Sequence, residues 1–502
     1  MYNVGVAPGL PAVQYTITGK RKTMPTFSSC RMRLSATAHR TVAVALMAAT
    51  LTACAPWSES LSESVSSAQA IVPDRWQDAE SAPLDDVELV QWWQQFGDPV
   101  LTDLIQQGLA ANNSIAAAEG RLRSARAAYS VAQGARLPTV GLAGRASRQE
   151  SLDGPDVDID SYSLAIDAAW ELDVFGKLRG SAAAAAATVR GSEVSLYDIQ
   201  RLISADIALN YITLRDAQAR LTIALDNLAI QGENLRIVQW RNEAGLGNQL
   251  EVEQARTTVA QTRAGIPPLE QAVAAAIHQI DVLLGRAPGS SAQQLAVSAP
   301  VPQSPLIAAL GLPAELLMRR PDVLAAQHTL EAEVIRIGVA RADLYPALRL
   351  TGSIATSSDS IDDLFDASVA SLIGNITAPI FQGGQIRARI EQQEGSADTA
   401  LANYRGAILT ALQDVEGALI AAEAAQQREA ALDDAEAAAL ESLQLAEIRY
   451  RSGSIDFQTL LDVRRNLLSV QDGRASASAA RSTAAVQLYK ALGGGWNAAS
   501  PP

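Results

Sequence analysis

Two stretches of the chain change abruptly from alternating to helical spacing of their apolar residues. Between Tyr162 and Leu172, apolar residues alternate with polar or small ones, which predicts a β-strand. After Gly176 the alanine-rich sequence follows helical spacing to about Ala244, and the same change recurs near Gly384. Each helix would contain roughly 65 residues and extend about 100 Å. Two such helices do not fit inside a compact domain, so we expect an elongated protein.

The order of elements predicts two structural units, at 85–285 and 313–492, joined by a Pro/Ser/Gln-rich linker at 286–312. Each unit holds a helix, a β-hairpin, a long helix and a return helix. In the first unit the last three cover 137–172, 177–244 and 248–285. In the second they cover 347–381, 384–450 and 456–492, before a tail at 493–502. We expect Pro267-Pro268 to interrupt the first return helix, because proline lacks the amide hydrogen that a helix uses.

Matching residues at the ends of predicted elements indicate that the second unit duplicates the first. Pro138 and Pro346 are separated by 208 residues, and Gly245 and Gly453 by the same number. The separation between Phe175 and Phe381, which is 206 residues, agrees within two. Three independent markers thus support an internal repeat.

The four predicted strands carry one apolar face and one face of small or polar residues. Four strands do not close a barrel, and the smallest bacterial membrane barrels need about eight. An open sheet edge in lipid leaves backbone groups unsatisfied, so several chains must contribute to one barrel. The predicted fold class is therefore mainly α-helical, with a small membrane β part and an internal duplication. The alternative interpretation is two soluble hairpins, each with one solvent-exposed face.

The N-terminal region has the order of charges and apolar residues that is typical of a secretory signal. Residues 32–53 carry it, and residues 1–31 precede a signal that is already complete, so we expect the true start to lie later. The signal ends in Leu51-Thr52-Ala53-Cys54, which resembles a bacterial lipobox, and we expect Cys54 to carry a covalent lipid. The alternative is a small buried cysteine. Residues 54–84 show no period and are predicted to form a tether.

Composition and charge narrow the range of partners. Apolar residues make up 48% of the 502 residues but aromatic residues only 5%, which fits thin, alanine-lined helix seams. The formal net charge is −14, and it becomes −20 without residues 1–53. So acidic a chain is a poor candidate for binding nucleic acid or anionic lipid surfaces.

No catalytic constellation is evident in the sequence. The two histidines beyond the signal, His278 and His328, lie about 50 residues apart, and no cysteine cluster accompanies them. We find neither a phosphate-binding glycine-rich loop with lysine nor a nucleophile with an evident histidine partner. The sequence therefore predicts a protein that is not an enzyme and has no cofactor besides the lipid on Cys54.

Three motifs carry a resemblance to a known family. They are the segment from Trp170 to Arg179, the pattern Trp92-Trp93…Phe96-Gly97-Asp98…Leu101, and Arg319-Arg320-Pro321-Asp322. With these motifs the chain resembles the TolC family, most closely the lipidated OprM/NodT branch of outer-membrane efflux proteins. The resemblance implies a homotrimer with one 12-stranded barrel, four strands per chain, that continues into a periplasmic α-helical tunnel. It also implies docking to a periplasmic adaptor and to an inner-membrane pump, often of the resistance-nodulation-division (RND) type.

By the same resemblance, two helical turns correspond to the periplasmic tips that meet the adaptor. These tips are Gly245-Leu246-Gly247 and Gly453-Ser454-Ile455. Gly245 and Gly453 have a simpler explanation, since glycine permits a tight turn between helices. Leu246, Ser454 and Ile455 are the better contact candidates.

The resemblance also assigns gate residues. Asp462 matches an aspartate that rings the closed tunnel entrance, and Tyr450 and Glu251 match positions that hold the tips closed. Three aspartates around an axis would repel one another unless cations or protons bind, and such a ring favours cations. The alternative for Asp462 is a solvated position outside the tunnel. Where a relative has a locking arginine this chain has Ile455, so we expect Arg449 or Arg451 to replace it.

The leading functional prediction is a passive exit duct of a tripartite efflux system in the bacterial outer membrane. A structural, periplasm-spanning lipoprotein without a pore is one alternative, because an alanine-rich coiled coil can act as a spacer alone. A duct for type I protein secretion is another. A secreted hydrolase is disfavoured by the missing catalytic residues. The exported compound is chosen by the pump, so this sequence does not select it.

Overall fold

The computed structural model describes residues 56–73, 80–81, 89–150, 159–303, 309–310 and 319–496. The signal region 1–53, the start-codon prediction and Cys54 lie outside the described residues. Nine helices and six strands are labelled here in chain order.

The first half of the described chain contains a short helix, two helices before a hairpin, and a long helix with its return. Their bounds are α1 Pro56–Gln69, β1 Glu80–Ser81, α2 Pro99–Ala111, α3 Asn113–Gly134, β2 Thr139–Gln149, β3 Ile159–Leu172, α4 Lys177–Glu243, α5 Gln249–Leu283 and the one-turn helix α6 Ala292–Leu295. A 3-10 turn at Trp92–Phe96 precedes α2.

The second half repeats the arrangement of α3 to α5. Its elements are β4 Ala309–Leu310, α7 Pro321–Ala342, β5 Ala347–Ser358, β6 Ser368–Thr377, α8 Gln385–Arg451 and α9 Phe457–Ala491. Helices α3 and α7 both have 22 residues, α4 and α8 both have 67, and α5 and α9 both have 35. Equal lengths at every corresponding helix are what a duplicated unit produces.

One antiparallel sheet combines the two hairpins in the order β2-β3-β5-β6. Its register places Leu142 opposite Ile166, and Ile166 opposite Ile354. Cross-strand partners lie on the same face of a sheet, so most large apolar residues of the four strands form one surface, while Ile159, Val369 and Ile373 lie on the other. This apolar face consists mainly of Val140, Leu142, Leu164, Ile166, Trp170, Leu172, Leu348, Leu350, Ile354, Leu372 and Ile376.

The other face of the sheet is polar. Within this polar face the register places Glu171 opposite Arg349, and Arg349 opposite Asn375. Serine and threonine are the commonest residues at the remaining positions of this face, and the hydroxyls of Ser353 and Ser371 are 2.8 Å apart. Such a surface is suited to water.

The apolar face is largely uncovered in the single chain. Val140, Leu142, Leu372 and Ile376 each expose 70% or more of their surface. Strands β2 and β6 stand at the two ends of the sheet, and within the described residues neither has a partner on its outer side. The sheet therefore offers an apolar surface and two open edges.

The last strand ends earlier than its pattern predicts. Alternation places Ala378 and Ile380 in the hairpin 347–381, but β6 ends at Thr377, and Ile380 is almost fully exposed. Pro379 has no amide hydrogen to give to a strand ladder, which explains the end of pairing.

The long helices pack along narrow seams rich in alanine. Along α8 the buried residues recur at intervals of three and four: Ala397, Ala400, Tyr404, Ile408, Ala411, Val415, Ala418, Ala422 and Ala425. This spacing brings a strip of small side chains against neighbouring helices. Within the described part of the chain, no helix is both long and apolar enough to span a bilayer.

A larger core forms where α2, α4, α5 and α9 meet the 3-10 turn. Trp92 is fully buried, and its ring stacks on Tyr489 at 5.4 Å between centroids. Asp98 caps α2 by accepting from Val100 N and Leu101 N, and it also accepts from the hydroxyl of Tyr211 at 2.7 Å. Burial and the hydrogen bond to Asp98 raise the pKa of Tyr211 to about 12. The tryptophan-rich motif and Asp98 thus fix the start of α2 on α4.

The segment after Cys54 differs from the tether that its sequence predicts. Residues 56–69 form α1, which packs against α7 and α8. Ala68 is fully buried there, and Leu61 and Val65 pack against the same cluster as Tyr404. Leu61, Val65, Ala68 and Val72 are spaced by four, three and four residues, which is a helical period. The expectation that this segment has no period is therefore wrong for residues 61–72.

The prediction that Pro267-Pro268 interrupts the return helix is wrong. Helix α5 runs without a break from Gln249 to Leu283, with both prolines inside it. Each proline removes one backbone hydrogen bond, whose acceptors are the carbonyls of Arg263 and Ala264. Both of those residues are exposed, as are the prolines, so water can bond the two carbonyls.

The described part of the linker is held against the helices. The carboxylate of Asp281 accepts from Gly289 N at 2.7 Å and from Ser291 N at 3.0 Å. Buried Arg215 donates to Val297 O at 2.7 Å, and Gln218 donates to Leu295 O at 2.8 Å. These bonds fasten residues 289–297 to α4 and α5.

Arg320 joins the second unit to the end of the chain. Its side chain is only 3% exposed and forms ion pairs with Asp322 at 2.6 Å and Asp414 at 2.9 Å. It also donates to the carbonyls of Ala411 and Ala491. Although burial raises the pKa of Asp322, the hydrogen bond and charge of Arg320 outweigh it and hold that pKa below its ordinary value.

Replacing Arg320 should destabilise the protein, because Asp322 would lose its partner and two buried carbonyls their donor. We expect Arg320→Met to cost about 3 kcal/mol and to lower the unfolding temperature measured by circular dichroism of the detergent-solubilised protein. The control is Arg336→Met, which removes a half-exposed pair with Glu333 and should cost less than about 1 kcal/mol. Equal unfolding temperatures for both variants would contradict this role.

Candidate functional site

The two predicted tips are helix ends of the same kind. At the end of α4, Gly245 N donates to Asn242 O and Leu246 N donates to Arg241 O. At the end of α8, Gly453 N donates to Tyr450 O and Ser454 N donates to Arg449 O. Both patterns are Schellman motifs, which require a left-handed residue, and φ is +68° at Gly245 and +72° at Gly453. The two glycines therefore have the backbone role that their alternative interpretation gives them.

Each tip then starts its return helix with an acidic or amide cap. The side chain of Asn248 accepts from Glu251 N at 3.0 Å, and that of Asp456 accepts from Thr459 N at 2.8 Å. The caps are 208 residues apart, as the tip glycines are. Cap and glycine together fix a tight reversal at the far end of each long helix.

The tip residues differ in their exposure. Leu246 exposes 72% of its surface, and Gly453 and Ser454 are also exposed. Gly247 and Ile455 are half-buried. Of the predicted contact candidates, Leu246 and Ser454 are the ones fully available to a partner in the single chain.

A small core joins the two tips within one chain. Val238, Val252 and Ala255 from the first hairpin of helices are buried with Phe457 and Leu461 from the second. The ring of Tyr450 packs on this cluster, 5.8 Å from the ring of Phe457. The core therefore brings Tyr450 of α8 beside the end of α4.

Arg241 connects the tips through Tyr450. Its guanidinium donates to the Tyr450 hydroxyl and lies 5.6 Å from the centre of the same ring. It also donates to Leu246 O, the exposed turn of the first tip, at 3.4 Å. Burial raises the pKa of Tyr450, Arg241 opposes the rise and nearby Glu251 adds to it. Three charged or polar groups thus meet between α4, α5 and α8.

The arginines expected to replace the lock, Arg449 and Arg451, are placed differently from Arg241. Arg451 is highly exposed and pairs along its own helix with Glu447 at 3.4 Å. Arg449 contributes its carbonyl to the second tip, as Arg241 does to the first. Arg241 is not among the gate residues expected from the sequence, although it precedes Arg449 by the repeat distance of 208 residues. Applying that offset to every gate candidate is the signal that would have found it.

Glu251 and Asp462 have different surroundings. One carboxylate oxygen of Glu251 is buried without a hydrogen-bond partner among the described residues. The side chain of Asp462 is 58% exposed, accepts from Gln458 at 3.1 Å and lies 3.6 Å from the guanidinium of Arg465. Arg465 therefore offsets part of the charge that three aspartates would bring to a ring.

A rigid sheet with one apolar face, joined to long helices that end in paired tips, defines a protein of the outer-membrane channel class. Residues 104–286 and 312–494 match the family described as outer membrane efflux protein. The chain belongs to this family. The two matched segments start 208 residues apart, so the family pattern contains the same duplication.

Similar proteins carry the same architecture. The chain is 33% identical over 444 residues to the pyoverdine export outer membrane protein OpmQ of Pseudomonas putida. This alignment covers 86% of this chain and 93% of that protein. It is also 33% identical over 414 residues to the toluene efflux pump outer membrane protein TtgC of Pseudomonas putida, covering 81% and 85%. The solved structure of the outer-membrane channel OprN superposes with a TM-score of 0.77 at 33% identity, covering 85% of this chain and 99% of that one.

These comparisons confirm the resemblance to the TolC family and the predicted fold class. They also confirm an outer-membrane efflux channel that extends into the periplasm. The roles of Asp462, Tyr450, Glu251 and the tip residues stay predictions.

We expect Asp462→Ala to raise the single-channel conductance of the reconstituted protein and to weaken its preference for cations, because a carboxylate is lost from the predicted entrance. Planar-bilayer recordings in asymmetric salt measure both quantities. The matched control is Asp433→Ala, which removes an equally exposed carboxylate that pairs with Arg474 on the long helices. If Asp462→Ala and the unchanged protein behave alike, Asp462 does not belong to the gate.

We expect Arg241→Ala to loosen the two tips from each other, since a hydrogen bond from a charged donor contributes roughly 1.5–3 kcal/mol. Spin labels on cysteines introduced at Leu246 and Ser454 would report a broader distance distribution by pulsed electron resonance. Arg451→Ala, which removes a cation that pairs within α8, should leave the distribution unchanged. Broadening in Arg451→Ala but not in Arg241→Ala would contradict the role of Arg241 and assign the connection between the tips to Arg451.

Proposed function

We propose that three copies of this chain form one channel, which is the exit duct of a tripartite efflux system. Each copy contributes its four strands to a shared 12-stranded barrel, and α4, α5, α8 and α9 continue the duct into the periplasm. A periplasmic adaptor meets the tips, and an inner-membrane pump of the RND type supplies the energy. The chain itself performs no catalysis in this proposal.

The observation that carries the proposal is the unfinished sheet. Among the described residues, neither β2 nor β6 has a partner on its outer edge, and Val140, Leu142, Leu372 and Ile376 of the apolar face are exposed. In lipid, every backbone amide and carbonyl must be bonded within the protein. Joining β2 of one copy to β6 of the next satisfies both edges, and it turns the apolar face toward lipid and the polar face toward the lumen.

The tips support adaptor docking. Leu246 presents an exposed apolar side chain on a turn whose backbone is fixed by the Schellman bonds and by Arg241. Ser454 presents a hydroxyl at the corresponding place of the second tip, 2.9 Å from the hydroxyl of Ser452. Exposed, paired turns with a hydrogen-bonded backbone suit a partner that docks on them. In the relatives, the names describe outer-membrane components of efflux pumps.

The proposals of a lipid anchor and of a substrate class are supported by different observations. We propose a covalent lipid on Cys54 from the lipobox-like Leu51-Thr52-Ala53-Cys54 alone. The substrate follows from the pump, since relatives of equal identity are named for pyoverdine export and for toluene efflux. We therefore propose small molecules as the cargo.

Single-channel conductance of the purified, detergent-extracted protein in a planar bilayer tests the duct directly. The account predicts small, cation-selective and long-lived openings, because the tips are held together by Arg241 and Tyr450 and the entrance carries Asp462. Silence from a folded trimer, for both the unchanged protein and Asp462→Ala, would favour the spacer interpretation. A silent protein that conducts after Asp462→Ala would instead be a duct sealed at its tips.

A further inference from the structure

A cavity of about 750 Å³ lies where α3, β3 and α4 meet. Arg136 and Leu137 enter it after the end of α3, Trp170 enters it from β3, and Asp173 and Arg179 enter it at the start of α4. The indole Nε1 of Trp170 donates to Arg136 O at 3.0 Å, which fixes the ring beside the arginine backbone. The lining is therefore built from three elements of one chain.

The position of the cavity along the membrane normal follows from the chain path. Strands β2, β3, β5 and β6 all connect to helices at this end of the sheet, and the helices extend into the periplasm. Trp170 belongs to the apolar face, which turns toward lipid. The residues that flank the strands at this end include a belt of exposed apolar and aromatic side chains: Leu137, Val174, Phe175, Tyr345, Ile380 and Phe381.

Such a belt marks the boundary between hydrocarbon and water. Phe175 and Tyr345 stack with their ring centres 4.9 Å apart although both are exposed. Aromatic residues are enriched at the interfaces of membrane barrels, where their rings sit at headgroup depth. The cavity thus opens at the headgroups of the periplasmic leaflet, which consists of glycerophospholipids.

The charge of the cavity is positive although the whole chain is acidic. Arg179 Nε donates to Asp173 Oδ2 at 3.2 Å, and the same carboxylate accepts from Leu178 N and Arg179 N. Arg136 donates to Gln133 Oε1 at 3.3 Å, and Gln133 donates to the hydroxyl of Tyr129. The lining thus holds two guanidinium groups and one carboxylate that already accepts from two amides at the start of α4, which gives a net charge of about +1. Among the described residues, several N–H donors of the two arginines have no acceptor.

We propose that this cavity binds the headgroup of an anionic glycerophospholipid from the periplasmic leaflet. The phosphate lies between Arg136 and Arg179, whose planar donors suit its oxygens. Tyr129 and Gln133 offer a hydroxyl and an amide to the headgroup glycerol, and Leu137 and Trp170 offer apolar surface to the first carbons of the acyl chains. A zwitterionic headgroup fits less well, because its own ammonium competes with the two guanidinium groups for the phosphate.

The sequence alone pointed the other way, because a formal charge of −14 disfavours adhesion to anionic lipid surfaces. That argument concerns the summed field of the protein. A headgroup held in a cavity responds to the groups within a Debye length of it, about 8 Å at physiological salt. The proposal rests on the part of the proposed function that closes the sheet in the outer membrane and turns its apolar face toward lipid, and it is independent of the adaptor and the pump.

Fluorescence quenching by brominated lipids tests the proposal. The full protein is reconstituted into phosphatidylethanolamine vesicles with a small fraction of either dibrominated phosphatidylglycerol or dibrominated phosphatidylethanolamine. The Trp170 signal is the difference between the unchanged protein and Trp170→Phe, because the chain has seven tryptophans. We expect phosphatidylglycerol to occupy the site about fivefold more strongly than phosphatidylethanolamine.

Arg136→Gln/Arg179→Gln should abolish this preference, while both lipids continue to quench Trp170 at the level of non-selective lipid. The matched control is Arg121→Gln/Arg123→Gln, which removes two exposed charges from α3, roughly 16–20 Å along the helix from the end that carries Arg136. Channel conductance of each variant verifies that the barrel is intact. Equal quenching by both lipids in the unchanged protein, or a preference that survives in the cavity variant but falls in the control, would overturn the proposal.

Discussion

An antiparallel sheet in lipid must pair the amide and carbonyl groups of both its edge strands, because the hydrocarbon offers no water to bond them. In the part of this chain that the structure describes, a sheet of four strands has two open edges and a largely uncovered apolar face. Pairing of the strands also constrains the helices, because α4 and α8 begin shortly after β3 and β6 end. The position of each strand in the closed sheet therefore sets the starting position of the helix that follows it. Closure of the sheet by other copies would therefore also arrange the long helices around one axis, and it would bring the tips of each copy near that axis.

The duplicated architecture was accessible from the sequence because its signals are local. Alternation in Tyr162–Leu172 and the glycines at the tips each depend on a few neighbouring residues, and the repeat distance follows from comparing such local markers. The errors arose where tertiary context overrides a local rule. Pro267-Pro268 stays within a helix because the carbonyls left unbonded face water, and α1 forms because Leu61, Val65 and Ala68 find a surface on α7 and α8.

The candidate site could be predicted from the sequence only in part. Its glycines and caps follow from backbone chemistry, and the tip turns lie at the positions that the pattern gives. The connection between the tips depends on Arg241 reaching across from α4 to Tyr450 of α8, two residues that are 209 apart in sequence. No local pattern encodes such a pair. The basic cavity at Arg136 and Arg179 was hidden for the same reason, and the acidic total charge of the chain masked it further.

The stoichiometry of the detergent-extracted protein tests the central claim most directly, because every later step assumes that copies complete one another's sheet. Light scattering coupled to size-exclusion chromatography, corrected for bound detergent, gives the mass of the assembly. The account predicts three times the mass of the denatured chain, with the trimer resistant to mild heating. A folded monomer whose four-stranded sheet is stable alone would contradict it.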